Sequence, residues 1–540
     1  MTQFNRAQFG SLLLCLAWIL PGLIGHVPWK GTDGDSFAAL LWAQHSGDWL
    51  VPTVAGSVDL DHGPLYTWVA GMFAWVFSFL LAPHDAARLA SGFAVGIAVW
   101  LIGLTARRLA GEDAGWPAAF MLLGSLGLLL PGHSMDPHVI QLAGVAAVLF
   151  GLADILTSPR RGGAAAGLGL AAMGLSSGWL EPIALLALLP LLAGMLPEYR
   201  SPQARRGWFL LLTCSLLPLG LWLGALHARE GHLLAAWWTE TSQRLVFVSG
   251  QHGVYRPGYI VRNLLWFAWP AWPVALWAVY RSRMNWRSPA ILMPVAVLLL
   301  PLVALSLAVN LDEVSMMPLL PPLALLAGAG LFSVRRGAAH ALLWFAVMVF
   351  SFFALAFWVY FVAWQFGSPA PLARRLAKLG VAPHPELRYW AMALGALLTA
   401  AWFVWTPRIK RSAIRPILIW VAGMSFVWLL LMILLLPAFD RRLGYEAMAG
   451  QIKNRIRASQ CVATRSMPPT QRALLSYHTG LDFSPLVPDC DWLMLYAKRS
   501  KETPPGQRWV KRWDGARPGD RNEHFWLYYR ADRKDKADVR

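Results

Sequence analysis

Charge is scarce in this chain. Asp, Glu, Lys and Arg make up 14% of its 540 residues, against roughly 25% in soluble domains. So few charges over such a length exclude a string of ordinary soluble domains. The acidic side is the thinner one: 29 Asp and Glu stand against 47 Lys and Arg, a net charge of +18. In a soluble protein that excess suggests nucleic acid. In a membrane protein it reads as basic residues held in inner loops and drawn to anionic lipid phosphates, with no nucleic-acid partner. Cysteine is rare as well, with four residues. Cys15 and Cys214 fall inside apolar blocks and read as packing residues. Cys461 and Cys490 lie in a polar C-terminal region and are candidates for a disulfide if that region faces an oxidising compartment.

Several catalytic signatures are also missing. No Walker P-loop, no His-Glu-x-x-His and no Cys-x-x-Cys occurs. ATP hydrolysis and zincin chemistry are not expected, nor is serine hydrolase chemistry, and no nucleotide cofactor is implied. The energy for a reaction has to come from the substrate, such as an activated lipid-linked donor.

What is abundant is apolar sequence: 57% of residues are hydrophobic and the mean hydropathy is +0.46. Blocks of about 20 apolar residues, the length that crosses a bilayer, recur along the chain. They predict about thirteen spans, at 9–27, 86–105, 115–131, 138–156, 163–178, 180–196, 207–226, 259–280, 289–309, 317–334, 339–364, 389–407 and 417–437. The fold class is therefore a polytopic α-helical membrane protein. The opening MTQFNRAQFG with SLLLCLAWILPGLIG reads as an uncleaved first helix, because it lacks a small-residue cleavage site.

One further apolar block, 64–83, is read as lying on the outer surface. Basic clusters occur at Arg107-Arg108, Arg160-Arg161, Arg200/Arg205/Arg206, Arg281/Arg283/Arg287, Arg335-Arg336 and Arg408/Lys410/Arg411/Arg415. If 64–83 does not cross, all of these share the N-terminal, inner side, as the positive-inside rule requires. Arg374/Arg375/Lys378 and Arg441/Arg442 then fall outside, against the rule. This topology puts loops 28–85, 132–137, 227–258 and 310–316 on the outer face. A membrane domain, 1–437, precedes an outer tail, 438–540, whose runs CVATR, WLMLYAK and HFWLYYR predict a small α/β domain.

The outer loops carry the chemistry. Asp33 and Asp35 follow the first span, Asp59, Asp61 and His62 precede the 64–83 block, and Asp136 lies between His133 and His138. A single loop aspartate is ordinarily a solvated charge. Their recurrence near one plane, at the edge of hydrocarbon where ionised groups are costly, makes them candidates for a site. Arg244, His252, Arg256 and Arg262 follow in the 227–258 loop and its border. Arginine forks match phosphate oxygens. Carboxylates with His and Arg on one side of a helical bundle suggest a phosphate-bearing lipid substrate, with a divalent metal as a candidate cofactor.

These residues also form a pattern. Asp33-x-x-x-Phe37, then Ser46-Gly47-Asp48-Trp49-Leu50-Val51-Pro52, then Asp61 shortly before Pro64-Leu65-Tyr66-x-Trp68, resembles the GT-C glycosyltransferases. The nearest group resembles the bacterial lipid A aminoarabinose transferases and the related protein O-mannosyltransferase-like enzymes. Met135-Asp136-Pro137 and the run Leu319–Leu326 fit as well, so the resemblance covers about 1–335. It implies a donor of undecaprenyl-phosphate sugar, transfer to a lipid A, glycan or protein acceptor, and a multi-pass protein of the bacterial inner membrane with a periplasmic tail. It implies catalytic roles for Asp33 and Asp136, with Asp33 as general base. Asp35, His62, Tyr66, Arg244 and Arg256 become candidate substrate contacts, and Asp61 and His252 candidate metal ligands. The chain departs from the pattern at Gly34, Ser36, Asp61, His62 and Gly63, where Glu, Arg, Glu, Lys and Pro are usual. The segment between Phe37 and Gly47 is one residue short. An unperturbed His62 is mostly neutral at pH 7 and a weaker phosphate ligand than Lys. The alternative reading is a polyprenyl-linked glycan or lipid transporter, whose site would lie near mid-membrane.

Overall fold

In a computed structural model of the protein, the described residues are 6–176, 178–249, 255–256, 258–378, 380–381, 386–456, 460–485, 490–498, 508–520 and 522–531. Among them seven helices are long and apolar enough to cross a membrane: Pro83–Ala110, Pro202–Arg229, Pro289–Ser306, Val314–Ser333, Arg336–Phe366, Tyr389–Arg408 and Arg415–Leu443. These coincide with seven of the expected spans. The other six are shorter or broken, so the count of thirteen straight spans is not reproduced.

The breaks have local causes. The 115–131 block is two pieces bent by 63°, at Gly124-Ser125, where the backbone leaves the helix. The 259–280 block splits into Tyr259–Phe267 and Ala271–Arg281, around Pro270, which lacks an N–H for the helical ladder. The first helix stops at Ile19, just before Pro21-Gly22. The disputed 64–83 block forms a 13-residue helix, Leu65–Phe77. At 1.5 Å per residue it is about 20 Å long, too short for a hydrocarbon core of about 30 Å.

The helices that frame the site pack through glycine. A Cβ on Gly151 of the His138–Asp154 helix would sit 2.4 Å from Gly162 O. A Cβ on Gly163 of the Pro159–Gly174 helix would sit 2.3 Å from Gly207 O. With no hydrophobic force between helices in lipid, such backbone approach supplies the packing energy.

The tail forms a five-stranded sheet in the order Asp482–Pro485, Cys461–Arg465, Trp492–Lys498, Glu523–Arg530, Trp509–Gly515. All three predicted strand runs are strands. The first two pairings are parallel and the last two antiparallel. Cys461 and Cys490 are joined in a disulfide. The helix Pro469–Thr479 connects the parallel strands and docks on the membrane domain. There Thr470 donates to Asp35 Oδ1, Arg472 donates to Ala55 O at 3.0 Å, and the Tyr477 ring meets Phe37 edge-on at 4.9 Å.

Candidate active site

The stretch Val58–Gly63 is pinned from both sides. Asp59 N donates to Pro52 O at 2.8 Å, Gly63 N to Ser176 O at 2.7 Å and Leu65 N to Leu175 O at 2.9 Å. Gly63 is required there, because a Cβ would lie 2.2 Å from Leu175 O. The preceding SGDWLVP stretch is anchored by indoles: Trp68 Nε1 donates to Trp49 O at 2.6 Å and Trp222 Nε1 to Leu50 O at 3.0 Å.

The pinned stretch forms one wall of a cavity of about 280 Å³, lined among others by Asp61, His62, His138, Glu181, Arg244 and Asp312. Arg244 ends the helix Gly231–Gln243, and its carbonyl accepts Val309 N at 2.8 Å, tying it to the opposite wall. Arg244 Nη2 donates to Asp61 Oδ1 at 2.7 Å and to Asp61 O at 3.2 Å. Gly178 lies beside both Arg244 and Glu181 at φ +126°, a conformation that favours glycine; a Cβ there would be in ordinary contact, 3.5 Å from Arg244 Nη1 and 3.9 Å from Glu181 Oε2. Glu181 is buried.

His62 Nδ1 donates to Asp59 Oδ2 at 2.9 Å. Burial pushes the His62 pKa down, but the hydrogen bond and charge of Asp59 outweigh it and hold the pKa above that of a free histidine. The imidazolium of His62 is therefore favoured relative to that of an unperturbed histidine. Asp59 answers in kind: burial pushes its pKa up, the His62 contact outweighs this, and the net shift is downward. His138, edge-on to His62 at 6.0 Å, donates from Nδ1 to Asp136 Oδ1 at 2.9 Å, and its backbone N reaches the same oxygen at 2.9 Å. Asp136 itself is buried and does not line the cavity; it orients His138.

Asp33 does not line this cavity and sits in a different setting. It is buried and faces Arg88, which no reading of the outer loops singled out. Arg88 Nε donates to Asp33 Oδ1 at 3.3 Å and Nη2 to Oδ2 at 3.2 Å. Trp29 N and Met135 N complete the set, each at 2.8 Å. Burial pushes the Asp33 pKa up, but Arg88 and its other partners outweigh this and hold it below the usual carboxylate range. Arg88 also binds Asp85 Oδ1 at 3.1 Å. In the sequence, Asp85 and Arg88 stand one helical turn apart at the head of an apolar helix, a costly placement that is the signal for both.

The remaining candidates fall apart spatially. Asp35 is held at the tail by Thr470 and does not line the cavity. Tyr66 is buried, its hydroxyl donating to Ser91 Oγ at 2.8 Å, while Ser91 donates to Ser134 O at 2.6 Å. That corrects its reading as a direct substrate contact, since its one polar atom is spent inside the protein. Arg256 lines a second, smaller cavity of about 170 Å³, which shares Ala308, Asn310 and Leu311 with the first. His252 lies outside the described residues.

Of the two candidate metal ligands only Asp61 is among the described residues. Among the described residues no three His, Cys, Asp or Glu side chains converge as a metal site requires, and the Asp61 carboxylate is engaged by Arg244. No step is derived through a metal. Gly174-Leu175-Ser176-Ser177-Gly178 does have the spacing of a serine-hydrolase elbow, but it follows a helix rather than a strand. The Ser176 hydroxyl is buried and donates to Pro137 O at 2.6 Å.

No family model matches the chain. It is 30% identical over 350 residues to the undecaprenyl phosphate-alpha-4-amino-4-deoxy-L-arabinose arabinosyl transferase of Pseudomonas paraeruginosa, covering 62% of this chain and 61% of that protein. The corresponding Pseudomonas fluorescens protein is 28% identical over 349 residues, covering 60% and 59%. The chain thus spans about three fifths of the length of the curated relatives it matches. The crystal structure of ArnT from Cupriavidus metallidurans bound to undecaprenyl phosphate superposes with a TM-score of 0.72, over 97% of this chain and 98% of that one, at 15% identity. The fold is therefore that of this structure, a helical membrane domain with a small C-terminal sheet domain, and the likeness seen in the motifs extends to sequence and architecture.

Proposed function

We propose that the chain is an integral membrane glycosyltransferase. It moves a sugar from a polyprenyl phosphate of the undecaprenyl class to a lipid A, other glycan or protein acceptor, at the periplasmic face of the bacterial inner membrane. The observation that carries this reading is the placement of Arg244 and a cation-favouring His62 beside the carboxylates Asp61 and Glu181 in one cavity. The names of the curated relatives support the donor class. The cavity's charges lie in outer loops and at a helix end, which suits an enzyme better than a mid-membrane transport site.

In the reaction an acceptor hydroxyl oxygen attacks C1 of the sugar. The C1–O bond to the phosphate breaks, and its electron pair leaves with the lipid phosphate. Arg244 and protonated His62 meet the charge that develops on the departing oxygens, in a partly water-excluded cavity where such donors are most effective. The hydroxyl proton passes to a carboxylate, and a direct displacement inverts C1. Asp33 and Glu181 are the two carboxylates for that step, and they differ in cost. Asp33 must be released by Arg88 before it accepts a proton; Glu181 already faces the cavity.

The test is reconstitution of the purified protein with undecaprenyl phosphate-4-amino-4-deoxy-arabinose and lipid A, followed by mass spectrometry. A sugar mass gained by lipid A, with release of undecaprenyl phosphate, is the expected result. Passage of the intact donor across the vesicle wall with no undecaprenyl phosphate released would make the chain a transporter instead. Comparing folded Asp33→Asn and Glu181→Gln proteins then assigns the base, since the base variant loses turnover while donor binding persists.

A further inference from the structure

Four arginines meet far from this cavity, at the other end of the bundle. The His138–Asp154 helix begins at the candidate site and runs 17 residues, about 25 Å, away from it. At its far end lies an open cleft of about 1040 Å³, lined by Arg160 and Arg161 from one helix start and Arg205 and Arg206 from another. The Gly163–Gly207 contact brings these two helix starts side by side. Among the described residues only Arg161 of the four is paired with a carboxylate, Asp154, at 2.5 and 3.0 Å. Among the described residues Arg160, Arg205 and Arg206 pair with no carboxylate, and all three are exposed.

Apart from Ser158, the rest of the cleft wall is apolar. Phe209 and Leu210 line it, and Phe209 heads an exposed stripe that continues through Leu216, Leu217 and Leu221 at 69%, 56%, 59% and 66% exposure. That spacing is one face of the Pro202–Arg229 helix, and in a helix of spanning length such a face is turned to lipid. The cleft therefore opens where concentrated positive charge meets the hydrocarbon boundary. A soluble anion has use for the charge alone; a phospholipid has use for both.

We propose that this cleft is a binding site for an anionic phospholipid. Its headgroup phosphate sits among Arg160, Arg205 and Arg206, and an acyl chain lies along the Phe209–Leu221 stripe. The proposal rests on the membrane-spanning fold and is independent of the sugar-transfer reading. The basic residues of the other inner loops satisfy the positive-inside rule without such a cleft, so they provide the comparison.

The experiment is native mass spectrometry of the full chain in detergent, titrated with phosphatidylglycerol or with phosphatidylcholine. The expected result is retention of phosphatidylglycerol at about tenfold higher affinity than phosphatidylcholine, a difference of about 1.4 kcal/mol. Arg205→Gln with Arg206→Gln removes that preference, while Arg281→Gln with Arg283→Gln, at an exposed cluster on the same side, preserves it. Wild-type retention by the Arg205/Arg206 variant overturns the proposal. So does an equal loss in the Arg281/Arg283 variant, which would mark general surface charge, and so does full displacement by millimolar inorganic phosphate, which would mark a soluble-anion site.

Discussion

Arg244 and Asp61 are 183 residues apart in the chain and joined at 2.7 Å across the mouth of the cavity. The pair couples the loop before the Leu65–Phe77 helix to the loop after the Gly231–Gln243 helix. Its side chains are 35% and 50% exposed, so solvent screening keeps its contribution to stability within about 1 kcal/mol.

That low structural value separates folding from function at Arg244. Arg244→Gln is expected to lower kcat/KM for transfer by about 100-fold or more, the usual loss when one charge-stabilising donor is removed. The thermal midpoint should stay nearly unchanged. A large drop in the midpoint would show that Arg244 acts as a structural clamp.

The His62–Asp59 pair sets a pH dependence. With Asp59 present the His62 pKa is raised, so the imidazolium persists to higher pH than in a free histidine. If that cation meets the leaving phosphate, kcat falls as pH rises through the raised value. Asp59→Asn removes the raising charge, so the falling limb of the pH–rate profile should move to lower pH. An unmoved limb would remove His62 from the reaction.

The Asp33–Arg88 pair makes the opposite separation. Arg88→Met leaves Asp33 and Asp85 buried without their cation, and losing one partner of a buried pair costs about 3–5 kcal/mol. Thermal unfolding in detergent should show that loss, and combining it with Asp33→Asn should recover part of it. Asp33 has a depressed pKa in the folded protein. Its contribution is therefore complete above the usual carboxylate pKa and is lost as pH falls through the depressed value. Unfolding midpoints measured from neutral to acidic pH should fall in wild type and fall less in Asp33→Asn.

Gly63→Ala tests the positioning of the 58–63 stretch. The new Cβ would meet a backbone oxygen, Leu175 O, at 2.2 Å, and no side-chain rotation relieves that. The hydrogen bonds of Gly63 N and Leu65 N should lengthen or break, at about 1 kcal/mol each, and Asp61 and His62 should move with them. Turnover is expected to fall more than stability. Gly96→Ala, where nothing lies within 4 Å of the new Cβ, should be neutral or slightly stabilising in its helix.

Much of this protein is set by sequence alone, because hydropathy and charge asymmetry are local quantities. The membrane class follows from composition. The helix after Asp61, too short to span, agrees with the expectation drawn from keeping the basic clusters on one side. The tail's strands follow from their alternating and aromatic runs. The acidic residues of the outer loops, with Arg244, could be nominated from their charge at the edge of hydrocarbon.

What each nominated group does was decided only by the tertiary structure. Of the four N–H groups around Asp33, one comes from the nearby Trp29 and three from Arg88 and Met135, 55 and 102 residues away. Glu181 gave no sign of its place in the first half of a span, yet it lines the cavity beside Arg244. Tyr66 belongs to the most recognisable motif in the chain, yet its hydroxyl is turned inward to Ser91. A buried polar group takes its role from its partners, because the cost of leaving it unpaired exceeds any local preference. Those partners meet only when helices distant in sequence pack together.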